Sequence, residues 1–268
     1  MTVSVSYDAT LSRARLTADG LPAAAVSVRV ERSTDQVRWV TVRGGGALAP
    51  SSQTVSVDDY EAPHGQLVHY RATSYNGSGS QAGQQHGSIV MPGLQWAWLK
   101  SLARPFLNRQ VRVLDHSDVR RPGRTGVFAV IGRSMPVAVT DVAGSRQWTL
   151  QLRADSPEAA QALDMLVASG DVLLIQAPTV GRLAHMPAGY VVVEDSRVEQ
   201  LPTLTLWPRV VSWTLVEVAA PGPDVVGATS NYETIRATYA TYADQLAAHA
   251  TYGSLLELIG DPEDVIVP

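Results

Sequence analysis

The residues able to do chemistry are few and badly spaced for it. The six histidines, at 64, 69, 86, 116, 185 and 249, never fall at the HxxxH or HExxH spacing that puts two imidazoles on one helix face. His64 follows Asp58, Asp59 and Glu61 closely, and such a group could hold a cation; a polar loop between strands accounts for the same residues. There is no cysteine, so thiolate metal sites, cysteine nucleophiles and disulfides are excluded. Gly132-Arg-Ser134-Met-Pro136 comes nearest to a GxSxG nucleophile elbow, but its last position is proline and no helical pattern follows. Gly44-Gly-Gly46 and Gly77-Ser-Gly79 have no phosphate-binding lysine beside them and read as turns. Glu194 with Asp195, and Asp115 with Asp118, are the carboxylate pairs to consider for glycoside hydrolysis, although spacing cannot identify such pairs. The expectation is no catalytic constellation, no metal site and no cofactor.

What the sequence does offer is contact chemistry. Lys100 is the only lysine among 21 basic residues. Arginines crowd one stretch, Arg104, Arg109, Arg112, Arg120, Arg121, Arg124 and Arg133, with the basic loop DVRRPGRTG inside it. That loop lacks the interleaved aromatics that stack on single strands, and the net charge is −4. No sequence-specific nucleic-acid partner is expected; Arg120, Arg121 and Arg124 are expected to meet acidic groups of a neighbouring subunit. Trp96 and Trp98, two apart, would face one side of a strand, as a sugar-stacking platform or as an anchor of core or interface. Tyr232, Tyr239, Tyr242, Tyr252 and Leu246 suit a protein interface.

The elements that would carry these residues fall into three segments. Residues 1–92 read as all-β. Val3, Val5 and Tyr7 alternate with polar residues, as do residues 13–18, and Val26, Val28 and Val30 point one way. VRWVTV (37–42), QTVSV (53–57) and LVHYRATSY (67–75) follow, separated by turn residues, which predicts a β-sandwich of six or seven strands. Residues 93–222 are mixed. LQWAWLKSL (94–102) reads as a short helix or strand, and residues 109–115, 126–132, 135–141, 146–154, 171–178, 189–195 and 210–218 as strands. Val142–Ser145 has the length of a hairpin turn between two of them. Ser156-Pro157-Glu158 opens a helix over 156–169, with serine as N-cap and proline at the first position, and Gly170 ends it. The predicted fold class is mainly β: an all-β sandwich plus an α+β barrel or sandwich with one main helix, then a C-terminal short-helix repeat.

That repeat occupies the segment 223–268. YETIRATYAT, YADQLAAHAT and YGSLLELIGD are three tens opened by Tyr232, Tyr242 and Tyr252. Ten residues turn a helix by about 1000°, some 80° short of three turns, so one continuous helix would smear the tyrosines around its surface. Ser230–Glu233 and Thr241–Asp244 match capping boxes, which favours short separate helices that must pack on something. No run approaches the ~20 apolar residues of a membrane helix. The N-terminus lacks the charged-then-apolar form of a signal peptide, so neither membrane residence nor export through a cleaved leader is expected.

Two resemblances bear on role. VRVERSTDQVRWVTV with VDDYEAPHGQLVHYRATSYNGSGSQ resembles a fibronectin type III domain, in the strand pair carrying Trp39, the DxxAP turn and Tyr70. GRSMPVAVTDVAGSRQWTLQLRADSPEAAQALDMLVASGDVLLIQAP (132–178) resembles minor tail proteins of tailed actinobacteriophages, which also carry terminal repeats like Thr241-Tyr-Ala-Asp-Gln-Leu246. The resemblance implies a non-enzymatic structural virion protein at the distal end of the tail, made in the host cytoplasm. It implies a distal tail or minor tail protein that forms a ring, such as a hexamer, and contacts the tail tube protein and other tail-tip proteins. The repeated tyrosine units would dock on a neighbouring subunit. A receptor- or carbohydrate-binding module meeting a host surface glycan is the alternative, and a cell-wall hydrolase the third reading.

Overall fold

The computed structural model describes residues 3–200, 208–222 and 244, with the backbone alone at 200. The C-terminal repeat, with Tyr232, Tyr239, Tyr242, Leu246 and Tyr252, lies outside the described residues.

Seven strands build the first unit: β1 (Val3–Asp8), β2 (Arg13–Ala18), β3 (Ser27–Ser33), β4 (Val40–Thr41), β5 (Val55–Asp59), β6 (Leu67–Tyr75) and β7 (Gln81–Val90). They form two antiparallel sheets, β1-β2-β5 and β4-β3-β6-β7. Period-2 alternation sends Ala14, Leu16 and Ala18 of β2, Val28 and Val30 of β3, and Val68, Tyr70 and Ala72 of β6 into one core. Val26 does not join them; it precedes β3 and is exposed. The strand expected over 37–42 shrinks to Val40–Thr41. Asp35 Oδ1 accepts from the amides of Val37 and Arg38, at 2.9 and 2.8 Å, and this side-chain-to-backbone turn competes with strand pairing there. Trp39 consequently stays out of the core, with the Arg71 guanidinium 4.3 Å from its ring.

The second unit is a closed antiparallel barrel. β8 (Ala97–Ser101) leads through a 3-10 turn at Pro105–Leu107 to β9 (Arg109–His116). After a hairpin of β10 (Thr125–Phe128) and β11 (Val137–Thr140) come β12 (Gln147–Ala154), helix α1 (Pro157–Ala168), β13 (Leu173–Gln176), β14 (Gly189–Gln200) and β15 (Arg209–Glu217). The order β12-β15-β14-β13-β8-β9 closes where β9 returns to β12. Closure leaves these six strands no free edge. Inside, Trp148 lies opposite Leu215, Leu150 opposite Trp213, and Leu152 opposite Val211. Each such fully buried side chain contributes roughly 1.5–3 kcal/mol relative to exposure.

Helix α1 matches expectation closely. The Ser156 hydroxyl accepts from the Ala159 amide at 3.2 Å, Pro157 opens the first turn, and Leu163 and Leu166 bury against the barrel core. Gly170 has φ +68°, the left-handed position that ends helices.

One connection differs from expectation. Val142–Ser145 does not turn β11 into β12. β11 pairs with β10, Phe128 opposite Val137, while β12 pairs with β9 and β15. Two apolar strands close in sequence suggest a local hairpin, but the neighbours of β12 are more distant in sequence, β9 before it and β15 after it.

Candidate functional site

Two features stand out from this scaffold: a buried polar junction where the barrel meets the sandwich, and an exposed arm. The junction forms around the 59–65 loop. Asp59, which ends β5, accepts from Arg32 at 2.6 Å, from the Tyr70 hydroxyl at 3.1 Å and from the Glu61 amide at 2.9 Å. Glu61 then receives Arg43 at 2.7 Å and, from barrel strand β14, the Tyr190 hydroxyl at 2.7 Å. Burial pushes Glu61 upward, but the hydrogen bonds from Arg43 and Tyr190 and the Arg32 charge outweigh it, so its carboxyl sits below the ordinary value. Gln176 of β13 donates to the Ala62 oxygen at 3.1 Å.

Lys100 reaches the same loop from β8. Its side chain leaves the barrel's outer face, is wholly buried, and donates to the main-chain oxygens of Ser12 and Tyr60. Burial lowers its pKa to about 7, against the opposing pull of Asp59 and Glu61 and with help from Arg32.

Beside it lies the one pairing that resembles catalytic machinery. His64 Nδ1 stands 2.9 Å from the Pro92 oxygen and Nε2 3.0 Å from Ser12 Oγ. A carbonyl can only accept, so Nδ1 carries the proton and Nε2 accepts from the serine hydroxyl. Burial, with the Lys100 charge, lowers the His64 pKa to about 4, so the ring is neutral at pH 7. A neutral base on a hydroxyl is the form an activated nucleophile takes. Here, however, Ser12 is 1% exposed, its main-chain oxygen is held by Lys100, and a backbone carbonyl orients the ring. The arrangement fastens loops: Ser12 is held at φ +52°, a conformation uncommon for serine. The acidic neighbours of His64 are visible in the sequence; its partner Ser12, fifty-two positions away, is marked by no sequence pattern. Among the described residues, no group of three His, Asp or Glu is placed to hold a metal ion.

The arm is the hairpin of β10 and β11. Its neck is closed by backbone bonds in both directions between Arg120 and Gln147, each 2.8 Å, and by the Gly144 amide on the Pro122 oxygen at 2.8 Å. Gly144 has to be glycine, since a Cβ there would lie 2.9 Å from Pro122 Cγ and 3.1 Å from the Pro122 oxygen. At the tip, the Arg133 amide bonds to the Val130 oxygen, and Gly132 takes φ +85° at the position where a type II turn needs it. Between neck and tip the side chains are largely exposed, and many of them are apolar. Phe128 is 59% exposed and Met135 79%; Ile131 is fully exposed, and Val127, Val130, Val137, Val139 and Val142 are exposed too. The register puts Val137 opposite Phe128 and Val139 opposite Gly126, so Phe128, Val137 and Val139 share one face around the glycine. Among the described residues β10 and β11 pair only with each other, and neither outer edge has a described strand partner. A two-stranded ribbon like this has little stability of its own in water, and an apolar patch of this kind marks a contact surface.

Arg120, Arg121 and Arg124 sit at the arm's base and are exposed. Arg121 donates to the Gly144 oxygen at 3.4 Å, and the Arg124 oxygen accepts from the Asp141 amide at 3.0 Å. Among the described residues, no ion pair joins Arg120, Arg124 or Arg133 to a carboxylate. Ser134 lies in the tip loop, ahead of β11. Trp96 and Trp98 are separated by burial. Trp96 precedes β8, is 39% exposed and lies under the Arg112 guanidinium at 5.0 Å, while Trp98 is 6% exposed, with Lys100 Nζ 5.9 Å from its ring. Only one of the two rings is open to solvent, so they do not form a two-ring stacking platform. Of the carboxylate pairs, Asp115 lies 3.5 Å from Arg182, and Glu194 and Asp195 are exposed at the β14 bulge. The basic half of the arm is visible in the sequence, whereas its valines read as ordinary strand; pattern alone does not distinguish a buried strand from an exposed one.

No protein-family model matches the chain, and no curated protein sequence matches it.

Proposed function

We propose that the chain is a structural subunit of a larger particle, of the distal or minor tail protein kind found at a phage tail tip, and that the β10–β11 arm is its principal contact element. The observation that carries the reading is the arm itself, an apolar ribbon with no described strand partner at either outer edge and nothing of the described chain against it. Two further features agree with it. The closed barrel with capped helix α1 is the α+β body expected over residues 93–222, and the three-plus-four split of the N-terminal strands is compatible with a type III-like sandwich. The fused junction, with Lys100, Gln176 and Tyr190 reaching from the barrel into the 59–65 loop, gives such a subunit a rigid body from which to extend the arm.

Assembly would bury the arm against a second copy, giving its edges strand partners or covering its face. Imaging of the concentrated full chain by electron microscopy tests this. Closed rings that disappear in a Phe128→Asp, Val139→Asp variant support the reading. Single particles in both samples, or rings in both, refute the arm's role.

A further inference from the structure

The arm has a counterpart on the barrel wall, because β14 outruns one of its neighbours. β13 pairs with Gly189, Tyr190 and Val191 of β14 and goes no farther along it. From the bulge at Glu194 onward, β14 keeps β15 on one side, and its other edge has no described strand partner. Residues 194–199 are all exposed, whereas the barrel strands elsewhere alternate between buried and open positions. A strand edge of this kind turns a row of main-chain amides and carbonyls outward, where another strand can pair with them.

Charge selects the strand that fits. The open stretch holds three carboxylates, Glu194, Asp195 and Glu199, against one arginine, Arg197. Arg197 pairs with Glu199 at 3.3 Å, and among the described residues no ion pair involves Glu194 or Asp195. The arm has the opposite excess, four arginines against Asp141 between Val119 and Ala143. Its two edges differ in sign. Arg124 immediately precedes β10, whereas β11 runs directly into Asp141. An incoming β10 edge brings a cation to Glu194 and Asp195, and an incoming β11 edge would bring a like charge.

The two surfaces also occupy different parts of the subunit. The arm leaves the barrel at Gln147, which lies opposite Val216 of β15. The open stretch runs along β15 from Thr214 to Val210, on the side of β14 away from β15 and β12. A contact between two unlike surfaces is heterologous. Each copy then gives one arm and receives one, and the series closes as a ring or continues as a filament.

We infer that β10 of one copy adds as a strand to the open edge of β14 on the next copy, with the arm's arginines facing Glu194 and Asp195. This rests on the reading of the arm as the contact element, and it names the surface the arm meets. Main-chain hydrogen bonds hold the two strands together, while the charges choose the edge and steer the encounter.

Mixing two disabled copies tests the docking site. Glu194→Lys, Asp195→Lys spoils the edge at two exposed side chains, and Phe128→Asp, Val139→Asp spoils the arm. Each variant alone should sediment as a monomer at concentrations where the native chain assembles. An equimolar mixture should give pairs of twice the monomer mass and nothing larger, because one intact arm meets one intact edge and no further contact remains. An edge variant that assembles as the native chain does would overturn the inference, and so would a mixture that stays monomeric. Assembly by the arm variant alone would instead sink the contact reading itself.

A second measurement leaves both surfaces intact. A benzophenone amino acid replaces Val127, which is exposed and outside both cores, and isotopically light and heavy chains are mixed before irradiation. Crosslinks to residues 189–199 across isotopes are expected. Crosslinks within one isotope, or to other parts of the chain, would overturn the docking site.

Discussion

Lys100 Nζ donates to the main-chain oxygen of Ser12, so the chain's only lysine fastens the outside of the barrel to the sandwich. A fully buried lysine would be an unusual choice if a hydrophobic contact sufficed. Two carbonyls, of Ser12 and Tyr60, face the space it fills, and an apolar replacement would leave both without a donor.

The lysine gives the first prediction. Its folded pKa of about 7 lies below the unfolded value of about 10.4. Between these values the unfolded chain binds more protons, so stability rises with pH from about 7 to about 10 and is lost as pH falls to 7. Tyr70, Tyr60 and Tyr190 are all raised by burial and act oppositely once unfolded tyrosines ionise near pH 10, which closes the window. Urea midpoints taken from pH 7 to 9.5 should climb for the native chain and stay flat for Lys100→Met. Equal slopes would show that the lysine does not titrate in this way.

His64 supplies a second window, on the acid side. Its folded pKa of about 4 is depressed from the ordinary 6.5, so the stability it contributes is complete above pH 6.5 and is lost as pH falls toward 4. Replacement by glutamine, which can still offer a donor to the Pro92 oxygen and an acceptor to Ser12, should flatten the denaturation midpoint between pH 4 and 6.5. A profile parallel to the native one would mean the ring is solvated.

Tyr70→Phe removes one of three donors from Asp59, a carboxylate that is 1% exposed, while leaving the ring's packing intact. Hydrogen bonds to buried charges contribute roughly 1.5–3 kcal/mol, and the loss in chemical denaturation should fall in that range. A neutral result would mean that Arg32 and the Glu61 amide satisfy the carboxylate between them.

Ser156→Ala takes away the side-chain cap of helix α1. The expected loss is about 1 kcal/mol, and Ser156→Asp should restore it, since a carboxylate can accept the same amide and suits the helix's positive end. Failure of aspartate to rescue would place the serine's role elsewhere.

Much of the fold was legible because it obeys local rules. The alternation in β2, β3, β6 and β12 fixed which residues enter the cores, and Ser156, Pro157 and Gly170 marked the helix to within a residue or two. Where prediction failed, a local competitor or a distant partner decided the outcome. The Asp35 turn shortened β4, and β12 found its neighbours in β9 and β15. The junction was invisible because Ser12, His64 and Lys100 come together only once both units have folded. The arm was half visible: its arginines stood out, but exposure of valine is a tertiary fact that no period-2 pattern encodes.

The most direct test of the central claim is the solution mass of the full chain over a range of concentrations. Sedimentation equilibrium should show self-association that strengthens with concentration, and the Phe128→Asp, Val139→Asp substitutions should return it to a monomer with an unchanged circular dichroism spectrum. A chain that stays monomeric throughout, or an arm variant that associates as before, would contradict the claim that this ribbon is where the subunits meet.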